Sequence, residues 1–325
     1  MAFSNTYNTT NPGSAASNRE DLSNIITRVV PEQAPVYSMA RKQSCTATFH
    51  EWTVDKLKTP STLAGGVSEG ADVTSFSDQH EDRSRIGNYI QGFRDTWGVS
   101  RVQGKAAQAG GDPVALAKSK AVINVKRGIE YTICSTNDRQ AETGAGSPYK
   151  LRALGDWIDS AGPPDVPADY RTPSGSAITG AATLTEAAFQ DLVRSIFSAS
   201  GEAAANTLVA GTTLRSRISG FSRIEGTDNK TKAYTVNENA TSKTITYAVN
   251  YFTTDYGNLA IVNGNPDCLT VTTGYVLNHD MYYVADYLPM QSSDLEDQGG
   301  GRRGLVECWL TLAVKNPRAF GKFTA

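Results

Sequence analysis

The sequence predicts an α+β protein, and three observations predict it. One stretch of helical periodicity, Gly111 to Asn137, is long enough to cross a domain. Two alternating stretches rich in Thr, Val and aromatics, Cys45–Lys56 and Arg85–Val102, read as the arms of a long β-excursion. Near the end, Val306, Cys308, Leu310, Leu312 and Val314 alternate with Glu307, Trp309, Thr311 and Ala313, the cleanest strand pattern in the chain.

The 325 residues can bury a large core, in one elaborate domain or in two or three smaller ones. A net charge of −2 supplies no strongly basic face, which argues against tight sequence-specific binding of nucleic acid. No apolar run reaches the ~18 residues of a membrane span, and the first residues lack the basic start and apolar centre of a signal peptide. Cys45, Cys134, Cys268 and Cys308 are far apart and form no CxxC pair, so they read as scattered buried thiols. With only His50, His80 and His279, a histidine-rich metal site is not expected. P-loop, GxSxG, HExxH and EF-hand patterns are absent, and no cofactor is predicted.

Taken in order, residues 1–17 form a polar arm with too little apolar surface to order itself, so a neighbouring subunit is the natural support. Leu22, Ile25, Ile26, Val29 and Val30 suggest a short helix ended by Pro31, after which Pro35 favours an extended path. The β-excursion, 44–102, has a polar tip with Gly65, Gly66 and Gly70. A two-stranded hairpin alone is marginal in water, so this one must lie on something else. In the long helix, Asp112 caps the start and Pro113 fits the first turn. Ala117, Ala121, Val125, Ile129 and Ile133 make an apolar face, with Lys118, Lys120, Lys126, Arg127 and Glu130 mostly off it. Gly128 implies either packing support or a close backbone.

Leu151, Leu154, Trp157 and Ile158 then show helical spacing before an irregular loop over 162–176. Thr183 and Glu186 suggest a capping box for a second helix, with Phe189, Leu192, Val193, Ile196 and Phe197 inward and Gly201 as its stop. A short strand at 206–211, a short helix or turn at 212–221, two strands joined at Asp255–Gly257 and an extended aromatic run at 274–287 follow. A polar loop, 291–304, leads into the last strand, which is expected beside the long helix.

Chemistry is poorly supported. His50–Glu51 and His279–Asp280 read as charges on strands rather than acid/base pairs. Asp78, His80, Glu81, Asp82, Arg83 and Arg85 form a mixed-charge cluster that reads as a solvated hairpin base rather than a metal site, with register-setting ion pairs between subunits as the alternative. The candidate inter-subunit contacts are His50, Trp52, Lys56, Asp78, Glu81, Asp82, Arg83 and Arg85. The candidate hinges are Gly65, Gly66, Gly70, Gly299, Gly300 and Gly301.

NREDLSNIITRVVPEQAPVYS, FHEWTVDKL, EGADV, RIGNYIQGF and WGVSRVQG resemble, in that order, the first half of tailed-phage major capsid proteins with the Hong Kong 97-type fold. GYVLNHDMYYVADYLPM and LEDQGGGRRGLVECWLTLAVKNPRAFGKF resemble the same family's closing segment. The resemblance implies an N-terminal arm (1–43), an extended loop or E-loop (44–102), a peripheral domain (103–146 and 291–325, with a spine helix at 112–137) and an axial domain (147–290). It implies a homo-oligomer of pentamers and hexamers closing into an icosahedral shell around weakly contacted double-stranded DNA, assembled in the host bacterial cytoplasm without a membrane. It further implies a portal and a separate scaffolding protein as partners, and leaves a decoration protein open. The competing expectations are another phage structural protein, such as a tail-tube or sheath subunit, and a hydrolase using His279 and Asp280.

Overall fold

The computed structural model describes residues 30–106, 111–144, 146–159, 161–201, 205–221 and 250–324, together with two short strands at 235–236 and 245–246. The polar arm over 1–17 and the helix expected to start near Leu22 lie outside these residues. The first described element departs from expectation. Pro35 opens a short helix, α1 (Pro35–Met39), because a residue without an N–H loses nothing at the first helical position. Val36 is fully buried, and β1 (Arg41–Ser44) runs parallel to β12 (Tyr282–Leu295). The end of the expected N-terminal arm is therefore built into the body.

The β-excursion is also organised differently. β2 (Phe49–Val54) pairs antiparallel with β3 (Ser84–Tyr89), Phe49 opposite Tyr89 and Val54 opposite Ser84. The returning strand expected over 85–102 breaks at Ile90, which is buried and donates its amide to Thr48 O at 3.0 Å. Beyond it, β4 (Gln91–Ser100) leaves the hairpin and pairs with β13 (Gly301–Val314). The projecting finger is thus β2, the loop 55–83 and β3.

The spine helix, α2, is Pro113–Ile133, and Asp112 Oδ1 accepts the Val114 amide as the cap requires. Ala121, Val125, Ile129 and Ile133 are buried beneath it, each large apolar residue contributing about 2 kcal/mol on burial. Gly128 has no backbone close by, since a Cβ there would meet only Phe93 at 4.0 Å; packing holds the helix. Glu130 corrects the predicted polar face, for it is 1 % exposed. Its two carboxylate oxygens accept the amides of Val36 (3.0 Å) and Tyr37 (2.8 Å), so the spine helix satisfies the start of α1.

Helix α2 lies across a sheet ordered β1–β12–β13–β4, in contact with β4 and β13, as expected for the last long strand. The polar loop expected over 291–304 is mostly strand: β12 continues to Leu295 and β13 begins at Gly301. The domain boundary expected at 290/291 falls inside β12.

The second sheet is ordered β5–β14–β11–β6–β10–β9, comprising β5 (Ala177–Thr179), β6 (Thr207–Ala210), β9 (Tyr251–Thr254), β10 (Gly257–Asn263), β11 (Gly274–Leu277) and β14 (Gly321–Thr324); β7 (Thr235–Val236) and β8 (Ile245–Thr246) pair separately. The chain's last strand therefore belongs here and not with β13, against the expected grouping of 291–325. The helical spacing at 151–158 yields only α3 (Leu154–Trp157). The second helix, α4 (Glu186–Ser200), is capped by Thr185, whose hydroxyl accepts the Ala188 amide, and not by the predicted Thr183. Phe189, Leu192, Val193 and Ile196 are buried from α4, Leu214 and Ile218 from α5 (Thr212–Phe221), and Phe323 from β14, forming a second core.

Candidate assembly surface

The base of the finger is keyed to its own subunit. Asn88 is fully buried; its amide donates to Arg152 O (3.1 Å) and Leu312 O (2.8 Å), and its carbonyl accepts the Arg152 amide (2.7 Å). Trp52 donates its indole N–H to Val314 O at 3.1 Å and packs on Trp157. His50 Nε2 lies 2.8 Å from the Tyr283 hydroxyl, and burial lowers its pKa. Arg139 donates to Gly87 O at 2.6 Å and sits over the Phe49 ring. His50 and Trp52, predicted as contacts with a neighbour, thus have partners in their own chain.

Arg152 anchors this base. Its side chain is 1 % exposed and pairs with Asp138 (2.8 Å) and Asp165 (2.6 Å). Asp156 Oδ2 lies 2.9 Å from Arg152 Nε yet accepts no hydrogen bond. Burial, and then the nearby Asp138 charge, push the Asp156 carboxyl up to about 6 against the pull of Arg152.

The neck above the base is held more loosely. Arg83 donates twice to Asp55, both at 3.1 Å, and Arg85 lies 3.6 Å from Glu51. Lys56 pairs with Asp169 at 2.9 Å; that hydrogen bond raises the Lys56 pKa and lowers that of Asp169. The Tyr170 hydroxyl donates to Asp82 O. Asp78 accepts the His80 amide, and Glu81 is exposed. The charged cluster is therefore part intramolecular brace and part open surface.

Past the neck, the loop presents apolar side chains to solvent. Leu57 and Phe76 are 91 % exposed, Val67 is 88 %, and Leu63 and Val73 are exposed with them. Gly66 and Gly70 have positive φ, 65° and 77°, and Gly65 has open space around it. Gly299 and Gly300 sit in the β12–β13 turn, where Asp297, held by Arg101, accepts the Gly299 amide. Gly301 has less freedom than predicted: a Cβ there would come within 2.3 Å of Val99 O, so close approach accounts for its glycine.

Sequence reasoning missed Asn88, Glu130 and Arg152, which organise the interior. The hydrolase pair is engaged elsewhere: His279 Nε2 lies 2.6 Å from Thr207 Oγ1, and Asp280 pairs with Arg41. Among the described residues no cluster of His, Cys, Asp and Glu could hold a metal, and no helix is long and apolar enough to cross a membrane.

Known structures share this arrangement over nearly all of their length. The capsid of the native GTA particle aligns with a TM-score of 0.65 at 14 % identity, covering 100 % of each chain. The capsid of Cyanophage P-SCSP1u aligns with a TM-score of 0.65 at 9 % identity, over 96 % of this chain and 94 % of that one. A chain of Mycobacterium phage Adephagia aligns with a TM-score of 0.60 at 12 % identity, over 98 % of each. The fold is that of a phage capsid subunit, α+β and of the Hong Kong 97 type. No curated protein matches the chain by sequence. The model of the SU10 major capsid protein family matches residues 3–325, and the chain belongs to that family. It is a phage major capsid protein, a structural component of the virion that builds an icosahedral shell. The tail-tube, sheath and hydrolase expectations give way to it.

Proposed function

We propose that the finger is the shell's principal reach from one subunit to the next within pentamers and hexamers, its distal loop lying on a second copy of the chain. The observation that carries this is the exposed apolar series Leu57, Leu63, Val67, Val73 and Phe76 on a loop with little support from its own body. Isolated exposed apolar side chains are ordinary, whereas a series confined to one projection suits an interface. Asp78, Glu81 and Asp82 beside it would set register with the neighbour. The positive-φ glycines of the tip would absorb the angular difference between five- and six-fold rings.

On this reading the chain divides by function into an arm within 1–43, the finger, a region around the spine helix and the β12–β13 ribbon, and a region around the six-stranded sheet that faces the ring axes. The near-neutral charge suits a container that contacts packaged DNA weakly, since strong phosphate binding would hinder packaging and release. A portal and a separate scaffolding protein belong to the same reading, as does assembly in the host cytoplasm. The test is Leu63→Asp with Phe76→Asp: the subunit should remain folded by circular dichroism while electron microscopy finds no closed shells. Normal shells from this variant would refute the role of the finger.

A further inference from the structure

The loop 161–172, between α3 and β5, has more internal order than a connection needs. Arg171 spans it from inside, donating to Val166 O (2.7 Å), Ala161 O (3.1 Å) and Pro164 O (3.4 Å). Gly162 turns it with φ +65°, and a Cβ there would fall 2.2 Å from the Arg171 side chain. Pro163, Pro164 and Pro167 restrict its backbone further. Val166 is fully buried, Thr172 Oγ1 donates to Pro317 O at 2.8 Å, and Arg318 donates to Asp169 O at 2.9 Å, so the loop is fastened to the body at several points. Its outward tip carries Asp169 and Tyr170, the two residues that grip the finger's neck from opposite strands: Asp169 takes Lys56 just after β2, and Tyr170 takes the backbone of Asp82 just before β3.

A braced loop thus presents two contacts to the finger's neck. The ion pair among them is weak. Both side chains of the Lys56–Asp169 pair are more than a third exposed, 39 % and 63 %, and ion pairs at such sites are screened by water and salt. Strong fastening lies behind the grip and weak bonding within it. That distribution suits a hold meant to be released.

We propose that the loop 161–172 is a strap that keeps the finger against its own subunit before assembly and yields when a neighbouring copy competes for it, so that it delays docking and fixes the angle from which docking begins. The proposal rests on the finger docking on a second copy, as argued above. Strapping lowers the fraction of subunits whose finger is free, and the apparent rate of association falls with that fraction. Releasing the strap should therefore speed assembly.

The experiment uses full-length unassembled subunits carrying spin labels at Ser68→Cys on the tip and Thr253→Cys on the body; the four native cysteines are buried, which favours labelling at the engineered sites. The parent should show one narrow tip-to-body distance. Asp169→Lys and Tyr170→Phe should broaden it, and shell formation followed by light scattering should accelerate roughly three- to tenfold, the range expected from losing weak exposed contacts. Adding Lys56→Asp to Asp169→Lys restores the pair with its charges exchanged, and should return both distance and rate toward the parent. A distance unchanged by Asp169→Lys with Tyr170→Phe overturns the strap, as does a broadened distance with an unchanged rate. Phe76→Asp, which leaves the strap intact, tests the underlying reading separately. Normal shells there would remove finger docking itself, whereas absent shells with an unchanged strap-variant rate would remove the strap alone.

Discussion

At the base of the finger, Asn88 makes three hydrogen bonds out of contact with water; in the distal loop of the same finger, Phe76 stands 91 % exposed. One β-ribbon joins them. The base obeys the rules of an interior, where each polar atom needs a partner and each ring has a neighbour. The loop obeys the rules of an interface awaiting its other half. A lone hairpin must lean on something, and this one leans twice: its root on its own body, its far part, on the reading proposed here, on another copy. Changes at the root should therefore be read in the stability of the subunit, and changes in the loop in assembly.

The sharpest way to break that contrast is Asn88→Leu. It leaves the carbonyls of Arg152 and Leu312 and the amide of Arg152 without their partner, and should cost about 4 kcal/mol in urea unfolding. An effect below about 1 kcal/mol would mean that the root is not keyed as described. Glu130→Ala should follow at about 3 kcal/mol, since it strips a buried and a half-buried amide of α1 of their acceptor. Hydrogen exchange at Val36 and Tyr37 should rise with it.

Asp156 gives a pH signature. Its carboxyl is raised to about 6 in the folded chain, so the folded state holds that proton more tightly than the unfolded one. The resulting stabilisation is complete below the unfolded value near ~4 and is lost as pH rises through about 6. Asp156→Asn should flatten that slope in urea unfolding between those pH values, with a difference of about 3 kcal/mol at neutral pH. An unchanged slope would place the titration elsewhere. Smallest for folding is Leu63→Ser with Val67→Ser, expected within about 0.5 kcal/mol of the parent. The same variant should nevertheless reduce shell yield in sedimentation; a large loss of stability would show that the loop is packed after all.

Several elements were legible because local pattern and burial agree in them. The spine helix, the second long helix and the last long strand each carry their periodicity in plain view, and the serial resemblance pointed to the family. The break at Ile90 left a trace that was read past: the apolar residues shift phase there, from Ile86 and Ile90 to Phe93, Trp97 and Val99, while the partner strand each half meets is recorded nowhere locally. Pro35 was misread because it suits both an extended run and a helix start, and the burial of Val36 decides between them. Glu130 looked like one more charge near the polar face of a helix. Only the approach of α1 from 94 residues away turns it into a buried acceptor. Arg152 was hidden for the same reason: its carboxylates come from segments whose meeting no local spacing records. In the finger the cluster of charges was visible, but not which of them would be spent within the subunit.

After β13 the chain needs only the turn at Pro317–Ala319, capped by Asn316, before β14 enters the other sheet. Phe320 is fully buried at that crossing, and Lys322 binds Gly155 O at 2.9 Å and Asp159 at 3.1 Å. A tug on the β12–β13 ribbon should consequently reach the six-stranded sheet across this short crossing. When the wall of the particle is stretched from within, the two sheets should travel together like a single plate, leaving the give to the joints between plates.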